Sequence, residues 1–260
     1  MLLYLWHNEA LMIGYKRTFY ECVFKRFFDF TLSLLALIIL APLFFIIFIA
    51  SKISIGGKAI FSQYRPGKNG KVFKLYKFRS MTDKTDENGI LLPDEERITK
   101  FGKFIRKTSI DELPQLFNIL KGDMSIVGPR PRLVKDMVFY TEETMFAYSK
   151  KPGLTGPSQV AGGRSEASWE SIFEEELKYA RKVTLWKDIK ILFKTVGILF
   201  KSDSSAEGSK SSKREYFYGD YLLSTNKITA QQYAMGLSKA DSIIAKKGIV
   251  KYSSDLHNNQ

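Results

Sequence analysis

A chain of 260 residues has room for one catalytic-sized domain with an appendage, and two full domains would be a squeeze. Its 40 Lys+Arg against 27 Asp+Glu leave a formal charge of +13, which favours anionic partners (nucleic acid, phospholipid head groups or phosphorylated substrates) without choosing among them. The one cysteine, Cys22, excludes an internal disulfide and a cysteine-rich zinc site, fits a reducing cytosolic compartment, and reads as a small apolar filler.

Residues 1–20 form an N-terminal extension. Residues 30–50, FTLSLLALIILAPLFFIIFIA, carry no charge and meet the roughly 20-residue length of a bilayer-crossing helix. The run starts too late for a secretory signal and leads into Ser51-Lys52-Ile53, which argues against cleavage. Lys16, Arg17, Lys25 and Arg26 precede it, while Lys52, Lys58, Arg65 and Lys68 follow. Lys and Arg near a membrane segment stay on the cytoplasmic side, so basic flanks at both ends favour a helix that enters and returns. Pro42 supplies the break, because it lacks a backbone donor and clashes with the carbonyl four residues earlier. Residues 21–55 are therefore expected to form a re-entrant membrane helix broken at Pro42, with a kinked single-span anchor as the alternative. Asp29 is expected to pair with Lys25 or Arg26 across one helical turn.

Residues 56–201 read as a cytosolic catalytic domain. Alternation through Val72-Phe73-Lys74-Leu75-Tyr76-Lys77-Phe78, punctuated by Arg65-Pro66-Gly67 and Asn69-Gly70, predicts a strand or hairpin over 60–81. Residues 83–94 are polar, with Gly89 and Pro93, and read as an exposed loop able to close over a ligand. Leu113, Leu116, Phe117 and Leu120 recur at helical spacing up to Gly122. Two rigid loops follow, at Val127-Gly128-Pro129-Arg130-Pro131 and at Lys151-Pro152-Gly153-Leu154-Thr155-Gly156-Pro157. Helices are expected over 170–181 and 185–200. The second is apolar with Lys187, Lys190 and Lys194 interspersed, which suits either the membrane interface or an ordinary core. Residues 202–214 are a polar linker. In the appendage, 215–260, residues Ala230, Tyr233, Leu237, Ala240 and Ile244 share one helical face that should dock on the core or on a partner. The expected class is mixed α/β, mostly helical, and monotopic in the membrane.

The chemistry concentrates in Arg106-Lys107-Thr108-Ser109-Ile110-Asp111-Glu112-Leu113-Pro114. Pro is tolerated in a first helical turn, so Asp111 and Glu112 are expected at a helix N-terminus, where free amides favour an ionised carboxylate or a bound phosphate. Simple acidic capping is the plainer alternative. An ionised carboxylate is a usable nucleophile, and its neighbour, pointing about 100° away, is free to hold a metal. Arg106, Gly128-Pro129-Arg130-Pro131 and Gly162-Gly163-Arg164 add the cations that phosphoryl transfer needs.

Five runs carry a resemblance: Lys25-Arg26-Phe27-Phe28-Asp29, Tyr76-Lys77-Phe78-Arg79-Ser80-Met81, Ser109-Ile110-Asp111-Glu112-Leu113-Pro114-Gln115-Leu116-Phe117-Asn118, Lys121-Gly122-Asp123-Met124-Ser125-Ile126-Val127-Gly128-Pro129-Arg130-Pro131, and Lys151-Pro152-Gly153-Leu154-Thr155-Gly156. In this order, over roughly residues 20–200, the chain resembles the bacterial sugar transferases, the monotopic polyprenyl-phosphate phosphoglycosyl transferases. The resemblance implies Asp111 as nucleophile and Glu112 as its partner, both at Mg²⁺. It further implies substrate contacts from Lys77, Arg79, Arg106, Pro129, Arg130, Pro131, Gln159 and Arg164. The implied donor is a UDP-sugar and the acceptor undecaprenyl phosphate, with UMP leaving as a phospho-sugar forms on Asp111. The implied location is the cytoplasmic face of a bacterial plasma membrane, where anionic phospholipid is a further partner. A homo-oligomer stays open, as does a non-catalytic membrane-anchored scaffold with a basic surface. A nucleic acid is not expected, since no recognition motif is present and the apolar run would go unexplained. Departures are Ala41, where the family often has Ser before the membrane Pro, then Pro157-Ser158, and the longer Ala161-Gly162-Gly163-Arg164 turn. The last two put the placement of Arg164 and the sugar preference in question.

Overall fold

The computed structural model describes residues 17–161, 168–201 and 217–248. The charge-free run folds as two helices. A wide turn at Tyr20–Phe24 leads into α1 (Lys25–Ile39), and after Leu40 the chain resumes as α2 (Ala41–Ile55), bent by 67°. Pro42 lies in the first turn of α2, where its missing N–H breaks the hydrogen-bond ladder at no further cost. With Ala41 offering no polar side chain, the proline and the Leu40 turn carry the bend. Gly56, at φ +73°, ends α2. Among the described residues no single helix is long and apolar enough to cross a membrane, but the bent pair together passes on length and composition.

The pair is inside-out for a water-soluble protein. Phe27, Ile38, Ile39, Phe45, Ile46 and Ile53 are exposed, Ile53 by 77%, whereas Asp29, Ser33 and Ser51 are buried. An exposed apolar surface with polar groups turned inward suits contact with lipid or with another protein. The expected pairing of Asp29 with Lys25 or Arg26 is not formed. Its carboxylate faces inward, accepting from Ser125 Oγ at 3.0 Å and Ile126 N at 2.9 Å. Both cations serve other elements: Lys25 pairs with Asp188, and Arg26 donates to the carbonyls of Ile119 and Leu120.

Strands β1 (Ile60–Pro66) and β2 (Val72–Phe78) form the expected antiparallel hairpin, with Phe61 opposite Lys77 and Arg65 opposite Phe73. A long loop carries one helical turn, α3 (Asp94–Arg97), before α4 (Lys100–Lys107), whose first turn is capped by Thr99. α4 is pressed against that loop, since a Cβ on Gly102 would stand 1.9 Å from the Ser80 carbonyl oxygen. α5 (Gln115–Lys121) stops at Gly122, and its Leu116 and Ile119 pack with Phe73, Leu75 and Met124. β3 (Ser125–Val127) pairs in parallel with β4 (Gly153–Thr155). Short helices α6 (Val134–Met137) and α7 (Glu142–Ala147) lie between these strands, and α8 (Pro157–Val160) follows β4.

α9 (Trp169–Arg181) and α10 (Leu185–Lys201) match the two helices expected from periodicity. α10 buries Asp188 and Ile191 but exposes Trp186, Phe193, Val196 and Leu199, Trp186 by 79%. The Asp188 carboxylate accepts from Tyr20 OH at 2.8 Å and Tyr179 OH at 2.7 Å, joining α10 to the start of the membrane pair. The C-terminal α11 (Tyr218–Ser224) and α12 (Ala230–Lys246) dock on the core, as the shared helical face suggested: Leu222, Ile228 and Ala240 join one cluster with Val134, Met137, Phe139, Tyr140, Tyr148 and Ile172. Phe139 stacks on Tyr233 with ring centroids 5.9 Å apart, in a slot left by Gly219 and Gly236. The 202–214 linker lies outside the described residues.

Candidate active site

The two carboxylates sit in a turn of their own, not at the helix N-terminus expected for them. After α4 the backbone reverses at Ser109, at φ +57°, and a single tight turn spans Ile110–Glu112. Glu112 N bonds Ser109 O at 3.1 Å and Leu113 N bonds Ile110 O at 3.2 Å, the three-residue spacing of a 3₁₀ turn. Pro114 has no N–H to continue the ladder, so α5 starts afresh at Gln115. Asp111 is only 8% exposed. Glu112 pairs with Lys77 Nζ at 2.7 Å, and so links the turn to β2.

Both carboxylates line a cavity of about 570 Å³ between the hairpin, the 79–99 loop and the Arg130 loop. Of the side chains implied to touch substrate, Lys77, Arg79, Arg106 and Arg130 line it as well. Arg106 Nε donates to Ser80 Oγ at 2.8 Å, Arg79 pairs with Asp83 at 2.9 Å, and Arg97 donates to the Thr82 carbonyl at 3.0 Å. Burial pushes the Asp111 carboxyl above its ordinary range; Lys77 opposes this, Glu112 adds to it by like charge, and Arg106 opposes it. The same burial, helped by Arg130, lowers the Arg65 guanidinium to about 10, which still leaves it charged at neutral pH.

Arg130 is held from behind by a carboxylate that sequence reasoning missed. Glu176, on α9 and fully buried, accepts from Arg130 N at 3.2 Å, Ser158 Oγ at 2.7 Å and Tyr148 OH at 3.0 Å, with Arg132 Nη2 at 3.8 Å. Tyr148 OH also lies 3.2 Å from the Arg130 carbonyl oxygen, within donating reach. Pro129 and Pro131 do not line the cavity; they flank Arg130, and the Pro129 carbonyl accepts from Gly153 N at 2.9 Å. Gly128, Gly153 and Gly156 allow this close approach, since a Cβ on Gly156 would meet the Gly128 carbonyl oxygen at 2.1 Å. Gln159 lies away from the cavity, its buried Oε1 without a partner among the described residues. Arg164 and its Gly-Gly turn lie outside the described residues.

Arg65, Gln63 and Arg97 also line the cavity without having been singled out for it. The signal for the first two was period-two alternation: in the hairpin register Phe61, Gln63 and Arg65 stand opposite Lys77, Leu75 and Phe73, which puts them on the same face as Lys77. Its place before Pro66-Gly67 gives Arg65 the look of a turn residue. Among the described residues no group of three metal-type ligands occurs. Two adjacent carboxylates on one cavity nevertheless suit Mg²⁺, which takes one or two carboxylates and fills the rest of its shell with water and substrate phosphate.

Residues 20–202 match the family described as Bacterial sugar transferase. The chain is 41% identical over 211 residues to the uncharacterized sugar transferase EpsL of Bacillus subtilis, covering 81% of this chain and 96% of that one. It is 40% identical over 205 residues to the galactosyl transferase CpsE of Streptococcus agalactiae, covering 72% and 45%. It is 43% identical over 183 residues to the UDP-glucose:undecaprenyl-phosphate glucose-1-phosphate transferase of Escherichia coli, covering 66% and 39%. The chain thus spans nearly all of the Bacillus relative and under half of the other two. Because the matched span takes in the bent pair, the carboxylate turn and every cavity-lining arginine, the chain belongs to the bacterial sugar transferase family and is a transferase.

Proposed function

We propose that this transferase moves a sugar-1-phosphate from a UDP-sugar to undecaprenyl phosphate on the cytoplasmic face of the bacterial plasma membrane, through a phospho-sugar carried on Asp111. The observation that carries the reading is a buried carboxylate on a cation-lined cavity, in a domain whose helix pair turns its apolar side outward. Where a relative's name gives a sugar it is glucose or galactose, and these names support the class of donor and acceptor.

An Asp111 carboxylate oxygen attacks the sugar-linked phosphorus, and the bond to the UMP oxygen breaks with its electron pair leaving on UMP. An oxygen of the acceptor phosphate then attacks the same phosphorus, and the acyl–phosphate bond breaks to restore Asp111. Lys77 and Arg106 favour the ionised nucleophile against its burial. Arg79, Arg106 and Arg130, with Arg65 and Arg97, face the charge that spreads over the phosphoryl oxygens. Asp111 and Glu112 would hold Mg²⁺, which when bound supplies further neutralisation of the diphosphate. The bent pair, basic at both ends, keeps the cavity beside one leaflet, where a soluble donor and a lipid acceptor meet.

Incubating the full chain in nanodiscs with UDP-sugars, Mg²⁺ and undecaprenyl phosphate should release UMP with one or a few donors. Asp111→Asn and EDTA should each reduce release to background. With donor alone, intact-mass analysis should show a phospho-sugar adduct that the Asp111→Asn chain lacks. Full turnover by Asp111→Asn overturns the reading.

A further inference from the structure

The cations of the cavity form two groups along the hairpin face. Lys77 and Arg106 serve the Asp111 end: both oppose the rise in its pKa, and Lys77 also pairs with Glu112 at 2.7 Å. Arg65 and Arg130 form the other group, neighbours that act on each other by like charge. In the hairpin register Lys77 stands opposite Phe61, and Arg65 lies four residues further along the same strand. At about 3.4 Å per residue, those two strand positions are roughly 13 Å apart. Arg79 and Arg97, also on the cavity, are each paired with an acid of their own loop, Asp83 and Asp94.

Arg65 has no such acid. Its Nη2 donates to Gln63 Oε1 at 2.7 Å, a neutral acceptor that orients the guanidinium and leaves its charge intact. Among the described residues no acid forms an ion pair with it. Asp136 and Glu112 support its charge from a distance, but Asp136 accepts from Tyr218 N at 2.9 Å and Glu112 is paired with Lys77. Arg132, which also acts on Arg65, has its own acid in Glu176 at 3.8 Å. A guanidinium with most of its five donors unengaged, beside a second arginine, presents the fork that phosphate oxygens fit.

Reaction geometry indicates which phosphate belongs there. In each displacement the attacking and leaving oxygens stand roughly in line on phosphorus. Asp111 attacks first, and UMP leaves on the side opposite to it. In the second step the bond from the acceptor oxygen to phosphorus forms as the acyl–phosphate bond breaks, its electron pair returning to Asp111. The acceptor oxygen must therefore enter from the side that UMP vacated.

We propose that Arg65 and Arg130 form one phosphate subsite used twice, holding the phosphate of UMP in the first half-reaction and that of undecaprenyl phosphate in the second. Gln63 is a positioning residue for Arg65. Lys77 and Arg106 serve the transferred phosphoryl group at the Asp111 end. The inference rests on the two-step reading above and adds to it an assignment of cations to phosphates.

Rapid quench of the full chain in nanodiscs with Mg²⁺ separates the halves: UMP release with donor alone, then discharge of the preformed adduct by undecaprenyl phosphate. Arg65→Gln should slow both rates about tenfold, the lower end of what a hydrogen bond to a charged group contributes. Equilibrium binding of UMP should weaken by a similar factor. Arg65→Lys, which keeps the charge but not the fork, should recover part of each loss, and Gln63→Leu should lower both rates less and by equal factors. A loss confined to one half-reaction overturns the shared subsite, and so does unaltered UMP affinity in Arg65→Gln. The same measurements part the two readings. A wild-type chain that forms the adduct, while Arg65→Gln binds UMP normally, keeps the transferase mechanism and loses the subsite. A wild-type chain that forms no adduct fails the mechanism, yet weaker UMP binding by Arg65→Gln still supports Arg65 as a contact for the nucleotide phosphate.

Discussion

In the proposed reaction the Asp111 carboxyl must be ionised, and burial works against ionisation by raising its pKa above the ordinary 3.8. A raised carboxyl pKa means that the folded chain holds the proton more tightly than the unfolded chain, so this group costs stability as pH rises through its folded-state value. Removing the charge should therefore help the fold. In EDTA at neutral pH, Asp111→Asn is expected to unfold at a higher temperature than wild type, and the gap should close as pH falls below 3.8. Calorimetry across pH reads both halves of that statement. Glu176 works differently, since the hydrogen bonds it accepts tie α9 to the Arg130 loop. Glu176→Gln should cost about 1.5–3 kcal/mol, the range for a hydrogen bond to a charged group, and lower kcat/KM by displacing Arg130. Denaturant titration and UMP kinetics measure the two effects. That Asp111 and Glu112 share a cavity with arginines could be anticipated from the arginine-bearing segments around them and from the resemblance, whereas Glu176 could not, because Glu174-Glu175-Glu176 looks like a solvated run. Its helical phase was the missed clue: Ile172, Phe173, Tyr179 and Ala180 share its buried face, while Glu174 is exposed.

At the scale of elements, sequence patterns located the bent pair, the hairpin, α5, α9, α10 and α12. They did not locate the short helices α3, α4, α6, α7, α8 and α11, or the strand pair β3–β4, whose second strand falls in a segment that reads as a rigid loop. Alternation gave the hairpin, and the apolar run with Pro42 gave the bent pair. The carboxylate turn was misplaced because Pro114, expected inside the first turn of α5, instead precedes it and separates it from the tight turn. That distinction depends on the backbone reversal at Ser109, which an unremarkable serine does not announce. Glycine was equally silent within helices. A Cβ on Gly236 would lie 2.2 Å from Phe139 Cζ, so the α12 glycine is the only residue that lets the helix lie flat on that ring. Gly236→Ala is expected to lower stability by about 1–3 kcal/mol despite the better helix propensity of alanine, as overpacking outweighs it. A thermal melt that rises instead would contradict the slot.

For the whole molecule, the family match ends at residue 202, yet the largest core cluster does not. Tyr218 N donates to the buried Asp136 at 2.9 Å, Val72 N donates to Gly248 O at 3.2 Å, and Lys227 meets Glu170 at 3.1 Å. The C-terminal helices thus touch the hairpin, the segment after Arg130 and the start of α9. A chain ending at residue 201 should uncover Phe139 and Tyr140, melt well below the full chain and aggregate, measured by light scattering during heating. The sequence suggested a docked tail without showing its partner, since an apolar face records that something is covered and not what covers it.

The Phe139 slot also sets an order of events during synthesis. The ring emerges from the ribosome roughly a hundred residues before Gly236, which completes its cage. At about 5–20 residues per second, nascent Phe139 waits on the order of 5–20 s for that glycine. By then the bent pair, at the front of the chain, has long been available to the bilayer. If the bent pair enters the bilayer as proposed, the chain is moored before Gly236 is made, and α12 latches a domain already resting on lipid.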